Sequence, residues 1–242
     1  MNAEQLVDKL AAWIRERVTA AGCRGVVLGI SGGLDSSVLA VICQRAFPQD
    51  TLGIIMPCYS PPRDKAHAEK LAKRFDIPIR EMVLDGVFDT LLQELPALNP
   101  NPELGRLARA NLKVRLRMLT LYYAAQQLNY LVAGSSNRSE IAVGYFSKYG
   151  DAGVDIMPLG NLVKSEVREL AHYLKIPHEI IKKPPSAGLW AGQTDEDEMG
   201  VSYEVLDHYV LTGEAEGEIK RKIEAMISAS EHKRSMPPIA KF

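Results

Sequence analysis

Apolar positions near the N-terminus recur at helical spacing. Leu6, Leu10, Trp13 or Ile14, and Val18 predict an amphipathic helix over residues 3–18, ended by Ala20-Ala21-Gly22. The next segment, Gly25-Val26-Val27-Leu28-Gly29-Ile30, is short, β-branched and apolar without alternation. That pattern predicts a strand covered on both faces, as in a parallel sheet, because neither face meets water. Ser31-Gly32-Gly33 breaks the run, and a helix is predicted from about Asp35 to Phe47, stopped by Pro48. Residues 51–56 repeat the buried-strand pattern before Pro57. Residues 63–75 alternate charge with Ala and Leu and predict a surface helix. A third strand is predicted over 77–84 and a helix over 86–95. Residues 95–102, rich in Pro and Asn, form a loop of the kind that often acts as a lid. A long helix follows over 103–128, with Leu112, Leu116, Leu119 and Tyr123 spaced as a core-facing stripe. Residues 130–134 are a further strand.

Strands and helices thus alternate through the first 134 residues, which predicts an α/β fold with a doubly wound parallel sheet flanked by helices. Beyond Gly134, glycine, serine, aspartate and proline crowd residues 134–161. Three helices are then predicted near 163–174, 195–211 and 216–230, with a Gly/Pro loop over 184–194 and a patternless tail from Ser235. No repeat or low-complexity stretch divides the chain, so residues 1–242 are expected to form one domain with a helical C-terminal part.

Composition narrows the function. Lys plus Arg total 29 against 30 Asp plus Glu, a net charge of -1, which argues against a nucleic-acid-binding domain. No apolar run approaches the roughly 18 residues of a membrane span. The charged N-terminus lacks the apolar centre of a signal peptide, so the expected location is the cytoplasm. Cys23, Cys43 and Cys58 contain no CxxC spacing and are expected to stay reduced.

The chemistry concentrates in Gly29-Ile30-Ser31-Gly32-Gly33-Leu34-Asp35-Ser36-Ser37, which leaves a buried strand and opens a helix. Glycines let the backbone approach a ligand closely, and successive N–H groups at a helix start can face an anion. Ser31, Ser36 and Ser37 add hydroxyl donors. Asp35 makes sense beside phosphates if a divalent cation lies between them. The string lacks the GK[ST] ending of a P-loop NTPase and the GxGxxG of a dinucleotide fold.

SGGLDSS resembles the pyrophosphate-binding loop of the ATP pyrophosphatase superfamily, whose members use ATP to adenylate an oxygen that a nucleophile then displaces from AMP. Further motifs resemble the NAD synthetase family within it. They are Asn111 through Met118, Gly134-Ser135-Ser136-Asn137-Arg138-Ser139-Glu140, and Gly144 through Asp151 with Asp155 and Met157-Pro158-Leu159. Lys183 through Trp190, Gln193-Thr194-Asp195-Glu196 and His232-Lys233-Arg234 complete the series, so the resemblance spans about residues 26–236. It implies an adenine nucleotide alpha hydrolase-like sheet. It also implies that Gly29, Ile30, Ser31, Gly32, Gly33, Leu34, Asp35 and Ser36, with Ser135, Lys164 and Ser186, bind ATP. Asp35 and Glu140 would hold Mg2+. Arg115, Lys148, Asp155, His232 and Lys233 would bind deamido-NAD.

The implied reaction adenylates the nicotinate carboxylate and then admits ammonia. The chain begins at the synthetase helix with no room for a glutaminase domain, so free ammonia is the expected donor; a separate glutaminase partner stays open, with no residue here in its support. Relatives form homodimers, and this chain is expected to do so. Two other readings stay open: a sister enzyme acting on tRNA, disfavoured by the charge balance, and a non-catalytic nucleotide-binding module of the universal-stress type, which would not need Asp35, Glu140 and the basic tail together.

Overall fold

The computed structural model describes residues 1–190 and 192–241. In chain order its elements are α1 (Ala3–Ala20), β1 (Gly25–Gly29), α2 (Leu34–Ala46), β2 (Thr51–Ile55), α3 (Pro62–Arg74), β3 (Ile79–Glu81), α4 (Asp85–Glu94), α5 (Pro102–Leu128) and β4 (Tyr130–Val132). Then follow α6 (Arg138–Val143), α7 (Lys164–Tyr173), α8 (His178–Ile181), α9 (Asp195–Met199), α10 (Tyr203–Thr212), α11 (Gly217–Ala229) and α12 (Glu231–Arg234). The strands form one parallel sheet in the order β3-β2-β1-β4.

The sheet is covered on both faces, as the unalternating strands predict. Val26, Leu28 and Ile30 pack on one side with α1, α2, α3 and α7. Val27, Ile54 and Val132 pack on the other with α4 and α5. The chain leaves β1 toward β2 on one side and reaches β4 on the other, so the strand order reverses at β1. In open α/β sheets the crevice at such a switch point, beyond the C-terminal strand ends, is where ligands bind. A third core of Val143, Met199, Val201, Tyr203, Leu206 and Ile223 joins α6, α10 and α11 into a helical cap over that end.

Four elements differ from the sequence reading. On α1, Ile14 is fully buried while Trp13 is exposed, so the core stripe runs through Ile14. The third strand covers only Ile79–Glu81, because Pro78 has no N–H to donate and Asp76 turns the chain with a positive φ. The core face of α5 is Ala110, Val114, Leu116, Leu121, Ala124 and Ala125, whereas Leu119 and Tyr123 are 59% and 66% exposed. Small alanines let this helix approach the sheet closely beside Leu116 and Leu121, and Leu119 and Tyr123 turn outward. The helix predicted over 195–211 is two, α9 and α10, parted by Gly200 in the left-handed region at φ 61°. Just before the tail, residues 231–234 form a further short helix, α12.

Candidate active site

Three helix starts converge at the switch point. The loop after β1 turns at Gly32, whose φ is 71° and whose hypothetical Cβ would lie 2.2 Å from the Asp64 carbonyl oxygen. Only glycine fits there. The Ser31 backbone N–H lies 3.3 Å from Ser36 Oγ, and the two serine hydroxyls are 2.9 Å apart. Ser36 and Ser37 donate to the Gly33 carbonyl at 3.2 and 2.6 Å. Gly33 at the N-cap of α2 supplies no capping side chain, which leaves first-turn N–H groups for an outside acceptor.

The second start is α6. Asn137 accepts from the Glu140 N–H at 3.0 Å, and Glu140 accepts in return from the Asn137 N–H at 3.2 Å. This capping box fixes the Glu140 carboxyl beside the helix end. The Asn137 amide also donates to Asp35 Oδ1 at 2.9 Å, tying α6 to α2.

The third is α7, whose first residue, Lys164, is 3% exposed. Its Nζ lies 2.6 Å from Asp35 Oδ2 and 3.2 Å from Glu140 Oε1, and 4.7 Å from the centre of the Tyr203 ring. Burial opposes the charge of Lys164, but the two carboxylates outweigh it and hold the ammonium above its usual range. At Glu140, by contrast, burial dominates and pushes the carboxyl up to about 7, with Lys164 pulling it back down and Asp35 pushing it further up. A third carboxyl, Asp195, is buried and accepts from the Tyr203 and Tyr145 hydroxyls at 3.0 and 3.1 Å. Burial, then the charges of Glu140 and Asp195, keep Tyr203 protonated. Its hydroxyl also sits 3.1 Å from Glu140 Oε1.

Two cavities adjoin this cluster, of about 140 and about 510 Å³. Ser31, Gly33, Ser36, Ser135 and Ser186 line both. Leu34, Asp35, Glu140 and Lys164 line the smaller, and Gly29 and Ile30 the larger. Gly32 lines neither and packs on Asp64 instead. The loop carrying Ser186 is held to α3 by Lys183, whose Nζ lies 2.7 Å from Asp64 Oδ1.

The remaining sequence-predicted residues gather elsewhere. Arg115 donates to the Lys148 carbonyl at 3.2 Å, and Lys148 donates to the His232 carbonyl. Lys233 Nζ donates to the Gly144 and Phe146 carbonyls at 2.8 and 3.0 Å. This basic group lines neither cavity. Asp155 is not hydrogen-bonded to it: its oxygens accept from the Tyr122 hydroxyl at 2.9 Å and the Val132 N–H at 2.8 Å. Its carboxylate thus closes the end of β4. Sequence reasoning assigned no role to Asn137, Tyr145, Asp195, Tyr203 or Asp207. Asn137 was within reach, since Asn three residues before Glu is a capping-box signature. The others are joined to the site by packing, Tyr203 across 63 positions to Glu140 and Asp207 across 68 to Ser139.

Fold and site together define an α/β enzyme whose glycine loop, at a sheet switch point, lies beside paired carboxylates and a buried lysine. The NAD synthase family model matches residues 6–237. The chain is 49% identical to an NH(3)-dependent NAD(+) synthetase of Syntrophomonas wolfei, covering 99% of this chain and 97% of the relative. It is 44% identical to that of Methanocaldococcus jannaschii, covering 98% and 96%. Among solved structures it is similar to an NMN synthetase from Francisella tularensis, with a TM-score of 0.93 at 34% identity over all of both chains. It is also similar to an NH3-dependent NAD synthetase from Campylobacter jejuni, with a TM-score of 0.81 at 28% identity over all of both chains. The chain belongs to the NAD synthase family.

Proposed function

We propose that this protein is an ammonia-dependent NAD+ synthetase acting as a single domain over residues 1–242. The observation that carries the reading is the Asp35–Lys164–Glu140 cluster at the mouth of the glycine loop, in a chain of this family. The loop from Gly29 to Ser36, with Ser135 and Ser186, receives ATP. Asp35 and Glu140 offer the hard oxygen donors that suit Mg2+, which keeps several waters and takes one or two carboxylates plus phosphates. Bound there, the ion would neutralise charge on the triphosphate.

The nicotinate carboxylate of deamido-NAD attacks the α-phosphorus of ATP, and pyrophosphate leaves. Ammonia then attacks the acyl carbon, AMP leaves, and a proton is released with NAD+. Lys164, pre-paired with carboxylates at the start of α7, places positive charge where the leaving group gains negative charge. The glycine loop and serine hydroxyls orient the phosphates without reorganising. Arg115, Lys148, His232 and Lys233 form the basic surface for the second substrate's diphosphate and carboxylate. Asp155 contributes by fixing the end of β4, where Ser135 begins the next loop.

The Francisella neighbour supports a second reading, in which the acceptor is the mononucleotide rather than the dinucleotide. Both are tested by supplying MgATP, ammonium and either deamido-NAD or nicotinate mononucleotide, and following the amidated product. A higher kcat/KM with deamido-NAD is expected. Equal yield with glutamine in place of ammonium would overturn ammonia dependence. The outward Leu119 and Tyr123 on α5 support a homodimer through that face. The free thiols of Cys23, Cys43 and Cys58 accord with a cytoplasmic setting.

A further inference from the structure

Asp207 lies in the middle of α10 and is 5% exposed. Its carboxylate meets three donors. Oδ1 accepts from the Ser139 hydroxyl at 2.5 Å and from the Lys164 backbone N–H at 3.2 Å. Oδ2 accepts from the Ser165 backbone N–H at 2.7 Å. Ser139 Oγ also lies 3.4 Å from the Lys164 N–H, closing a small ring of polar atoms.

This arrangement answers a local need. The N-cap of α7 is Val163, which has no side-chain oxygen, so the first N–H groups of α7 have no local cap. Asp207 supplies the cap from another helix, and the partial positive charge of the α7 start favours a carboxylate there. The same carboxylate holds Ser139, the neighbour of Glu140 on α6. One side chain therefore grips the backbone of Lys164 and the residue before Glu140, the two groups that meet 3.2 Å apart in the site.

We propose that Asp207 is a positioning residue for the reaction, setting Lys164 and Glu140 relative to each other by clamping the starts of α6 and α7 from α10. The inference rests on the roles given to Lys164 and Glu140 above. Asparagine in its place has the same shape, but its NH2 group faces a donor and cannot accept. The clamp is then weakened while the packing of α10 is kept.

The test compares Asp207→Asn, Lys164→Met and the double variant for kcat, for KM of deamido-NAD and for half-saturating Mg2+, with folding followed by circular dichroism. Expected for Asp207→Asn is a fall in kcat of about 10- to 100-fold, as for groups that orient metal ligands, with a raised Mg2+ requirement and little change in KM. In the double variant, Asp207→Asn should lower kcat by less than it does alone, because part of its effect acts through that lysine. Wild-type kcat and Mg2+ dependence in a folded Asp207→Asn would overturn the inference, as would full additivity with Lys164→Met. Should Asp207→Asn not fold, Ser139→Ala cuts the α6 arm alone, and an unchanged Mg2+ requirement there would sink the clamp. Wild-type kcat in Lys164→Met would instead defeat the reading of the site on which the clamp depends.

Discussion

At the scale of single residues, the site is a problem in charge balance. Asp35 and Glu140 are both drawn to Lys164, and burial raises the cost of leaving any of the three unpaired. Removing the ammonium should therefore lower kcat by about 100- to 1000-fold, the range seen when one transition-state donor is lost, while KM for deamido-NAD stays close to wild type. Steady-state kinetics of Lys164→Met decide this. The Glu140 carboxyl gives a pH signature. Its affinity for protons is raised to about 7, mainly by burial, so it gains a proton as the pH falls through neutrality. A proton and a metal ion compete for the same oxygens, so the apparent affinity for Mg2+ should weaken on the acid side of about pH 7 and level off above it. Glu140→Gln should flatten that dependence. A Mg2+ titration across neutral pH that shows no slope in the wild type would defeat the assignment. Asp35 was legible from the sequence because a lone acid in a phosphate-type loop is out of place without a cation. Tyr203 was not, because nothing local distinguishes a tyrosine that meets a carboxylate 63 positions away.

Secondary-structure elements show where local pattern suffices and where it fails. The strands β1 and β2 and the helices around them follow from uninterrupted apolar runs and the breaks between them. α6 escaped notice because six residues are too few to show a helical period, although it carries Glu140. α5 misled because its apolar residues occur on more than one face, and the alanines that fit the sheet carry a weaker signal than Leu119 or Tyr123. The C-terminal cap rests on its own small core, in which Leu206 is fully buried. Leu206→Ala should destabilise the protein by about 2–5 kcal/mol, measurable by denaturant titration. Activity should fall more steeply than stability when α10 loosens, since Tyr203, Asp207 and the α9 carboxylate reach the site from this cap. Arg234 holds the tail against it by donating to the Ile141, Ala142 and Ile227 carbonyls.

For the whole molecule, the question is what covers the outward face of α5. Leu119 and Tyr123 are more than half exposed, and apolar residues so placed on a long helix suit a self-complementary interface. The homodimer proposed above predicts that replacing both with glutamate leaves a monomer where the wild type sediments as a dimer in analytical ultracentrifugation, and an unchanged sedimentation coefficient would exclude this face. Among the described residues no helix is long and apolar enough to cross a membrane, in line with the composition.

The sequence by itself determined the alternation of strand and helix, the parallel sheet covered on both faces, and the glycine loop with its serines and aspartate. Those features are encoded within windows of a few residues, by hydrophobic period and by backbone freedom at Gly32. It also carried the family motifs in their order. Only the tertiary structure decided that Lys164 lies between Asp35 and Glu140, that Asp195 and Tyr203 surround them, and that Asp155 accepts from the Val132 N–H of β4. It also decided which face of α5 meets the sheet. Each of these depends on side chains brought together across 20 or more positions, where close packing and the pairing of buried charge select one arrangement that no local pattern specifies.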